Sequence, residues 1–343
     1  MINAALDFIV FFKSNFSMLF ALIVYTILAI ALSKSIKKNY KVYYWIFGIL
    51  SVAFVIPFTF RILGMPLSVN LGKIPFFGPC INELSSAGNF VHPILIIIMY
   101  MGAFSPKNQY IGRLMSIRKE LSIIVGFPVI AHALKRIFAS FPDGWKYFAN
   151  HEEFMQSPRV TSALGSGITS FVFVLGLVMT ILFLVLWITS FDSVHRKLGT
   201  QRWKSVQKWS YGLYAMLFIH AMGLSLGGYI SDKARAEQQQ ASRPAQTEMV
   251  AEKKGERPQR AEGQQAQQGH GQQQGHGAPQ QAQAQQGGHG KKPQPFKFEE
   301  IEISRGDKRI INMFIYVLIY GSYLYFRLRK AKLAKQKRQQ FAQ

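Results

Sequence analysis

The sequence is poor in cysteine and in acidic side chains. Cys80 is the single cysteine among 343 residues, which excludes an internal disulfide and any iron–sulfur or zinc centre held by several thiolates. Only 17 residues are acidic, against 40 lysines and arginines, so the formal net charge is +23. The sequence also lacks a Rossmann fingerprint, a Walker motif and an HExxH motif, and nucleotide-binding proteins and zinc proteases therefore have no support.

Long apolar runs are abundant. Hydrophobic residues make up 49% of the chain, and they concentrate in runs that are each long enough, or nearly so, to cross about 30 Å of hydrocarbon. We therefore expect an all-α integral membrane protein, with a bundle of about seven transmembrane helices. The runs are 15–33, 42–62, 89–105, 120–139, 165–190, 209–229 and 310–328.

The basic residues are distributed in a way that predicts topology. Four basic segments, 34–41, 106–119, 195–208 and 327–338, alternate with the apolar runs so that all fall on one side of the membrane. The positive-inside rule makes that side the cytoplasm. We expect a multi-pass membrane protein, with the N-terminus outside and the C-terminus cytoplasmic. We expect these basic residues to contact membrane lipid, and we expect no nucleic acid partner.

The segment 230–308 is rich in Gln, Gly and His and has few large apolar residues. Such a composition cannot bury enough surface to fold, so we expect a long disordered loop outside the membrane. Three GHG triplets centre on His270, His276 and His289. Neutral imidazoles in a flexible tract can bind metal ions weakly, and a simple tether is the alternative interpretation.

These features divide the chain into four predicted parts. An N-terminal helix pair and outside loop occupies 1–88, and a four-helix core occupies 89–229. The disordered loop follows over 230–308, and the last transmembrane helix with its basic cytoplasmic tail occupies 309–343. Any cofactor is expected within the membrane part.

Two histidines lie at matched depths in the predicted core. His132 is twelve residues after Glu120, and His220 is twelve residues after Lys208. Both helices are expected to run outward, which places each imidazole roughly 18 Å from the inner face. Two imidazoles at equal depth on parallel helices can ligate one haem iron from opposite sides, an arrangement suited to electron transfer. Imidazoles that bond to backbone carbonyls or to neighbouring hydroxyls are the alternative.

Three further residues are candidates for contacts with a bound group. Lys135 and Arg136 follow His132 by three and four residues and lie near its face of the helix. They can pair with haem propionates, or they can extend to the outer headgroups without any ligand. His92, at the outside end of another run, is a candidate contact for a quinone or a propionate, or a histidine that simply ends a helix.

Two stretches resemble the ferric-reductase-like transmembrane family over roughly 89–229. They are RLMSIRKELSIIVGFPVIAHALKRI (113–137) and TSFDSVHRKLGTQRWKSVQKWSYGLYAMLFIHAMG (189–223). The closest resemblance is to the YedZ/MsrQ branch, the haem-binding membrane subunit of the periplasmic methionine sulfoxide reductase system. The resemblance implies that His132 and His220 are axial ligands of haem iron. The family usually has a second histidine where this sequence has Gln207, so it implies one haem b.

The resemblance implies an electron-transfer subunit of an oxidoreductase, in the bacterial inner (cytoplasmic) membrane, rather than a complete enzyme. The electron donor is expected to be a quinol or a flavin, and the flavin can belong to a separate flavin reductase. The acceptor is expected outside, either a periplasmic redox partner such as a reductase or ferric iron. No residue of the chain is assigned a catalytic role. The competing hypotheses are a metal-handling or transport protein that uses the His-rich loop, and a haem-free scaffold.

Overall fold

A computed structural model describes residues 2–65, 73–75, 78–80, 90–158, 160–255 and 303–340. Within these ranges the regular structure is entirely helical. An all-α fold, as predicted, is therefore confirmed. The helices are α1 (Ile2–Asn15), α2 (Ser17–Ala31), α3 (Ser33–Lys38), α4 (Tyr40–Ile62), α5 (Val91–Met101), α6 (Gln109–Ser116), α7 (Arg118–Ala149), α8 (His151–Met155), α9 (Ala163–Ile188), α10 (Asp192–Leu198), α11 (Thr200–Gln207), α12 (Ser210–Gly255) and α13 (Arg305–Gln340).

Five helical segments of the described chain are long and apolar enough to cross a membrane. They coincide with five of the predicted runs, and they are compatible with a multi-pass membrane protein. The segments are Tyr40–Ile62, Arg118–Ala139, Ala163–Ile188, Thr200–Ala241 and Arg305–Gln336.

The count of seven transmembrane helices is not confirmed, because two of the runs form shorter helices. The run 15–33 corresponds to α2, which is bent by 113° from α1 and makes a sixth span only if the pair is counted together. The run 89–105 corresponds to α5, which has 11 residues and is therefore only about 17 Å long. Hydropathy alone could not separate a short enclosed helix from a full span.

Helix α5 lies at the centre of the bundle. All of its residues from Val91 to Met99 are buried, as is Met101, and a helix that is apolar on every side is stable only when neighbours cover every side. Buried residues of α2, α7, α9, α12 and α13 complete the same core cluster. The long helices carry large exposed apolar residues on other faces, as lipid contact requires.

The helices around α5 pack in a row. Helix α4 packs on α7, α7 on α9, α9 on α12, and α12 on α13. The predicted four-helix core of 89–229 contains α5, α7, α9 and the first part of α12, residues 210–229. Its outer members pack extensively on α4 and α13, so the flanking helices share one bundle with that core.

The basic segments meet at one end of the bundle, here called the basic end. The Lys37 ammonium lies 2.8 Å from the buried carboxylate of Glu120 at the start of α7. Lys119 pairs with Asp192 at the start of α10 over 2.9 Å, and Lys330 donates to the carbonyl of Phe104. Helices α7 and α12 both begin at this end, so they run in the same direction as the sequence predicts.

The predicted loop over 230–308 is shorter in the structure. Helix α12 continues to Gly255, and α13 already begins at Arg305. The first part of that segment is rich in Ala, Gln, Glu, Lys and Arg, which are strong helix formers, so it extends the helix that precedes it. His270, His276 and His289 lie outside the described residues.

Candidate functional site

The His220 ring is oriented by a backbone carbonyl of the neighbouring helix. Its Nδ1 atom lies 3.1 Å from the carbonyl oxygen of Val172 in α9. A carbonyl oxygen can only accept, so Nδ1 carries the proton and donates it, and Nε2 keeps its lone pair. This tautomer is the one that a metal ligand needs, because the second nitrogen of a ligating histidine normally donates to a carbonyl or carboxylate.

Glycines let α9 and α12 approach closely enough for this contact. A Cβ atom placed on Gly176 of α9 would lie 3.2 Å from Cε1 of His220, so the ring lies directly against the glycine. Gly223, one turn beyond His220, lies against the side chain of Val172. Small residues at helix contacts are the usual means of close packing in membranes.

His132 lies on α7 between the buried residues Ala131 and Ala133. It is itself half-buried, and its Nδ1 atom is buried. Helix α7 is held against α9 near this position by Trp187, whose indole nitrogen donates to the carbonyl of Ile123 over 3.1 Å. The indole lies against Gly126, where no larger residue would fit.

Arg136 lies on the same face of α7 as His132. It follows His132 by four residues, a spacing that places two side chains on one helix face. Helices α7 and α12 both pack on α9 but make only sparse direct contact with each other. The structure therefore places the helices that carry His132, Arg136 and His220 against one common neighbour, α9.

Lys135 points in another direction. Its ammonium lies 4.9 Å from the ring centre of Phe54 and 5.1 Å from that of Phe58, both in α4. A cation over aromatic faces is stabilised by the ring quadrupole. Of the two basic residues predicted to meet propionates, Lys135 therefore contacts α4.

His92 belongs to a buried aromatic cluster that the sequence interpretation missed. Its Nε2 and the hydroxyl of Tyr320 share a hydrogen bond of 2.9 Å, and its ring stacks on Tyr316 at 5.2 Å. Phe218, two residues before His220, contacts Tyr320 with ring centres 5.1 Å apart. His92 is therefore an interior residue that links α5 to α12 and α13.

A pattern in the last helix could have revealed this cluster. Tyr316, Tyr320 and Tyr323 are separated by four and three residues, a spacing that places their side chains on one helix face. A stripe of tyrosines within an apolar run indicates a face with polar partners, because a buried phenol needs a hydrogen bond. The sequence interpretation treated that helix only as an anchor.

Gln207 stands where the family that the sequence resembles usually has a second histidine. It and Lys119 bond to other groups of the protein. The Gln207 amide donates to Thr189 Oγ1 over 3.0 Å and to the carbonyl of Leu186 over 3.3 Å. Lys119 donates to Asp192, and this hydrogen bond holds the pKa of Asp192 below its usual range. Both residues line a cavity of about 550 Å³ at the basic end. Among the described residues no three histidine, cysteine, aspartate or glutamate side chains group as a metal site.

Comparison with known proteins gives one relative. The chain is 26% identical over 220 residues to an uncharacterized protein of Treponema pallidum (strain Nichols). The match covers 62% of this chain and 54% of the relative, so the chain spans about half the length of the curated protein that it matches. No family model matches the chain, and no solved structure does.

Proposed function

We propose that this chain is a membrane electron-transfer subunit that binds one b-type haem between His132 and His220. The supporting observation is the contact of His220 Nδ1 with the Val172 carbonyl, which leaves Nε2 as an unprotonated donor. The resemblance of 113–137 and 189–223 to the ferric-reductase-like transmembrane family supports the same residues. As in the sequence interpretation, no residue of the chain is assigned a catalytic role.

The side chains of His132, His220 and Arg136 fit a haem group. Haem bound by two neutral imidazoles supplies one-electron redox chemistry with both axial positions filled. His220 would ligate through Nε2, and His132 would ligate from α7, where it shares a helix face with Arg136. Arg136 would offer its guanidinium to a propionate, and a planar bidentate donor suits a carboxylate. Both ligand helices pack on α9, and this shared neighbour supports the proposal that they hold one ring between them.

The proposed circuit crosses the membrane from the basic end outward. We assign the basic end to the cytoplasm of a bacterium, by the positive-inside rule. A membrane quinol or a separate flavin reductase would deliver electrons, and a periplasmic redox partner or ferric iron would receive them. The circuit is proposed as a whole, with its donor and its acceptor, because the match covers only 54% of the length of the relative.

Optical spectroscopy tests the proposal directly. Protein purified in detergent and reduced with dithionite should show the sharp alpha band of a low-spin b haem. His132→Ala and His220→Ala should each abolish that band, while the matched variants His151→Ala and His195→Ala should keep it. A wild-type protein that folds and carries no haem after expression with excess haem would refute the proposal.

The metal-handling alternative depends on the segment 230–308, most of which lies outside the described residues. Deletion of 256–302 distinguishes the two functions. An electron-transfer subunit should keep its haem band and its haem content after the deletion. A protein whose role is to capture metal ions through the GHG triplets should lose copper or zinc binding, measured by equilibrium dialysis.

A further inference from the structure

The cavity at the basic end has a charged mouth. Lys119, Lys204 and Lys208 line it and are exposed, and Arg118 lines it beside them. Asp192 is the single carboxylate among its lining residues, and it is already paired with Lys119. With His195 counted as neutral, these side chains leave a formal net charge of +3 around the mouth. Such a mouth favours an anion.

The base of the cavity has the opposite character. It is formed by buried apolar side chains from α5, α7, α9 and α12, and contact with them favours a hydrocarbon group. A ligand that satisfies both ends must be amphipathic, with a negative headgroup and an apolar tail. The apolar residues are Leu95, Ile98, Val125, Phe183, Leu186 and Leu213.

The position of the cavity indicates which kind of amphipathic anion it binds. It opens where the four basic segments meet, at the end of the helices where a membrane protein contacts lipid headgroups. Basic recesses between helices at the cytoplasmic surface bind anionic lipid headgroups. The bilayer supplies such molecules at high local concentration, whereas a soluble anion would gain nothing from the apolar base.

We propose that this cavity is a binding site for one anionic phospholipid. The phosphate lies among Arg118, Lys204 and Lys208, and an acyl chain contacts the apolar base. Gln207 and the pair of Lys119 with Asp192 occupy the polar boundary between these two parts. The proposal is independent of the haem, because none of its residues is a proposed haem contact.

Native mass spectrometry of the full-length protein tests the site. Phosphatidylglycerol should bind in preference to phosphatidylcholine with the same acyl chains. The double variant Lys204→Gln/Lys208→Gln should reduce that preference on the order of tenfold. The matched double variant Lys332→Gln/Lys335→Gln removes the same charge from exposed residues of α13 that do not line the cavity, and it should retain the preference.

A second variant separates the cavity from the general charge of the surface. Ser122 lines the cavity, and Ser122→Phe should fill it without a change of charge and so displace the lipid. Inorganic phosphate and glycerol phosphate, which lack the acyl chain, should not compete at millimolar concentration. Equal binding of the two lipids, equal loss in both double variants, unchanged binding in Ser122→Phe, or displacement by flavin mononucleotide would each overturn the proposal.

Discussion

The two predicted ligands sit in differently built regions. His220 lies at the α9–α12 contact, where glycines bring the helices together and a backbone carbonyl holds the ring. His132 lies on α7, whose contact with α4 is made by larger side chains such as Phe54 and Phe58, with Lys135 over their rings. Backbone cannot move aside as a side chain can, so the α9–α12 contact leaves little room for added atoms. Variants in that contact should therefore have the larger effects.

The largest effect is expected from Gly165→Val in the α9–α12 contact. A Cβ atom at Gly165 would lie 2.9 Å from the carbonyl oxygen of Gly227, so the helices must separate. Overpacking of this kind costs up to about 3 kcal/mol of unfolding free energy. Unfolding by sodium dodecyl sulfate in mixed micelles, followed by circular dichroism, measures it. Gly212→Val on α12 meets open space and should change little; equal losses would contradict the comparison.

The next effect concerns the orientation of His220. Gly176→Val would place branched atoms against the imidazole and turn it from the Val172 carbonyl. If the haem proposal holds, loss of this supporting bond should lower haem affinity by about 10–100-fold. Haem titration into apoprotein measures the change, and Gly212→Val again serves as the control. Unchanged affinity would show that the carbonyl does not orient a ligand.

A smaller effect is expected on the α4–α7 side. Lys135→Met removes the cation over Phe54 and Phe58 but keeps an apolar side chain of similar length. Loss of the cation–π contact should cost about 1 kcal/mol. Lys146→Met, on the same helix, removes an exposed pair with Glu153 and should cost close to nothing. If both variants unfold at the same denaturant concentration as the wild type, the rings do not hold Lys135.

The smallest effect is a pH dependence at the basic end. The hydrogen bond from Lys119 lowers the folded-state pKa of Asp192, so the pair stabilises the fold above the unfolded pKa of about 3.9. That contribution is lost as the pH falls through the lower folded-state pKa. The difference in thermal midpoint between wild type and Asp192→Asn should shrink over this range. Because the Asp192 side chain is 65% exposed, the difference in thermal midpoint is small even above about pH 3.9.

The helical class and the positions of five long helices could be read from hydropathy, because lipid exposure requires long apolar runs. The matched depth of His132 and His220 was counted along helices of fixed rise, and it stays a prediction. The role of His92 did not follow, because its partner Tyr320 is 228 residues away along the chain. The direction of Lys135 did not follow either, since residues three and four after His132 both lie near its face, and only the position of α4 separates them.

By itself the sequence determined the class of fold and the clustering of basic segments at one end. Both follow from the order of apolar and basic residues along the chain. Only the tertiary structure decided that the 11-residue α5 is the enclosed centre, that α9 supplies the carbonyl for His220, and that Lys135 lies over the rings of α4. Each of these depends on which helices are neighbours, and neighbours are chosen by side-chain packing across long separations in the chain.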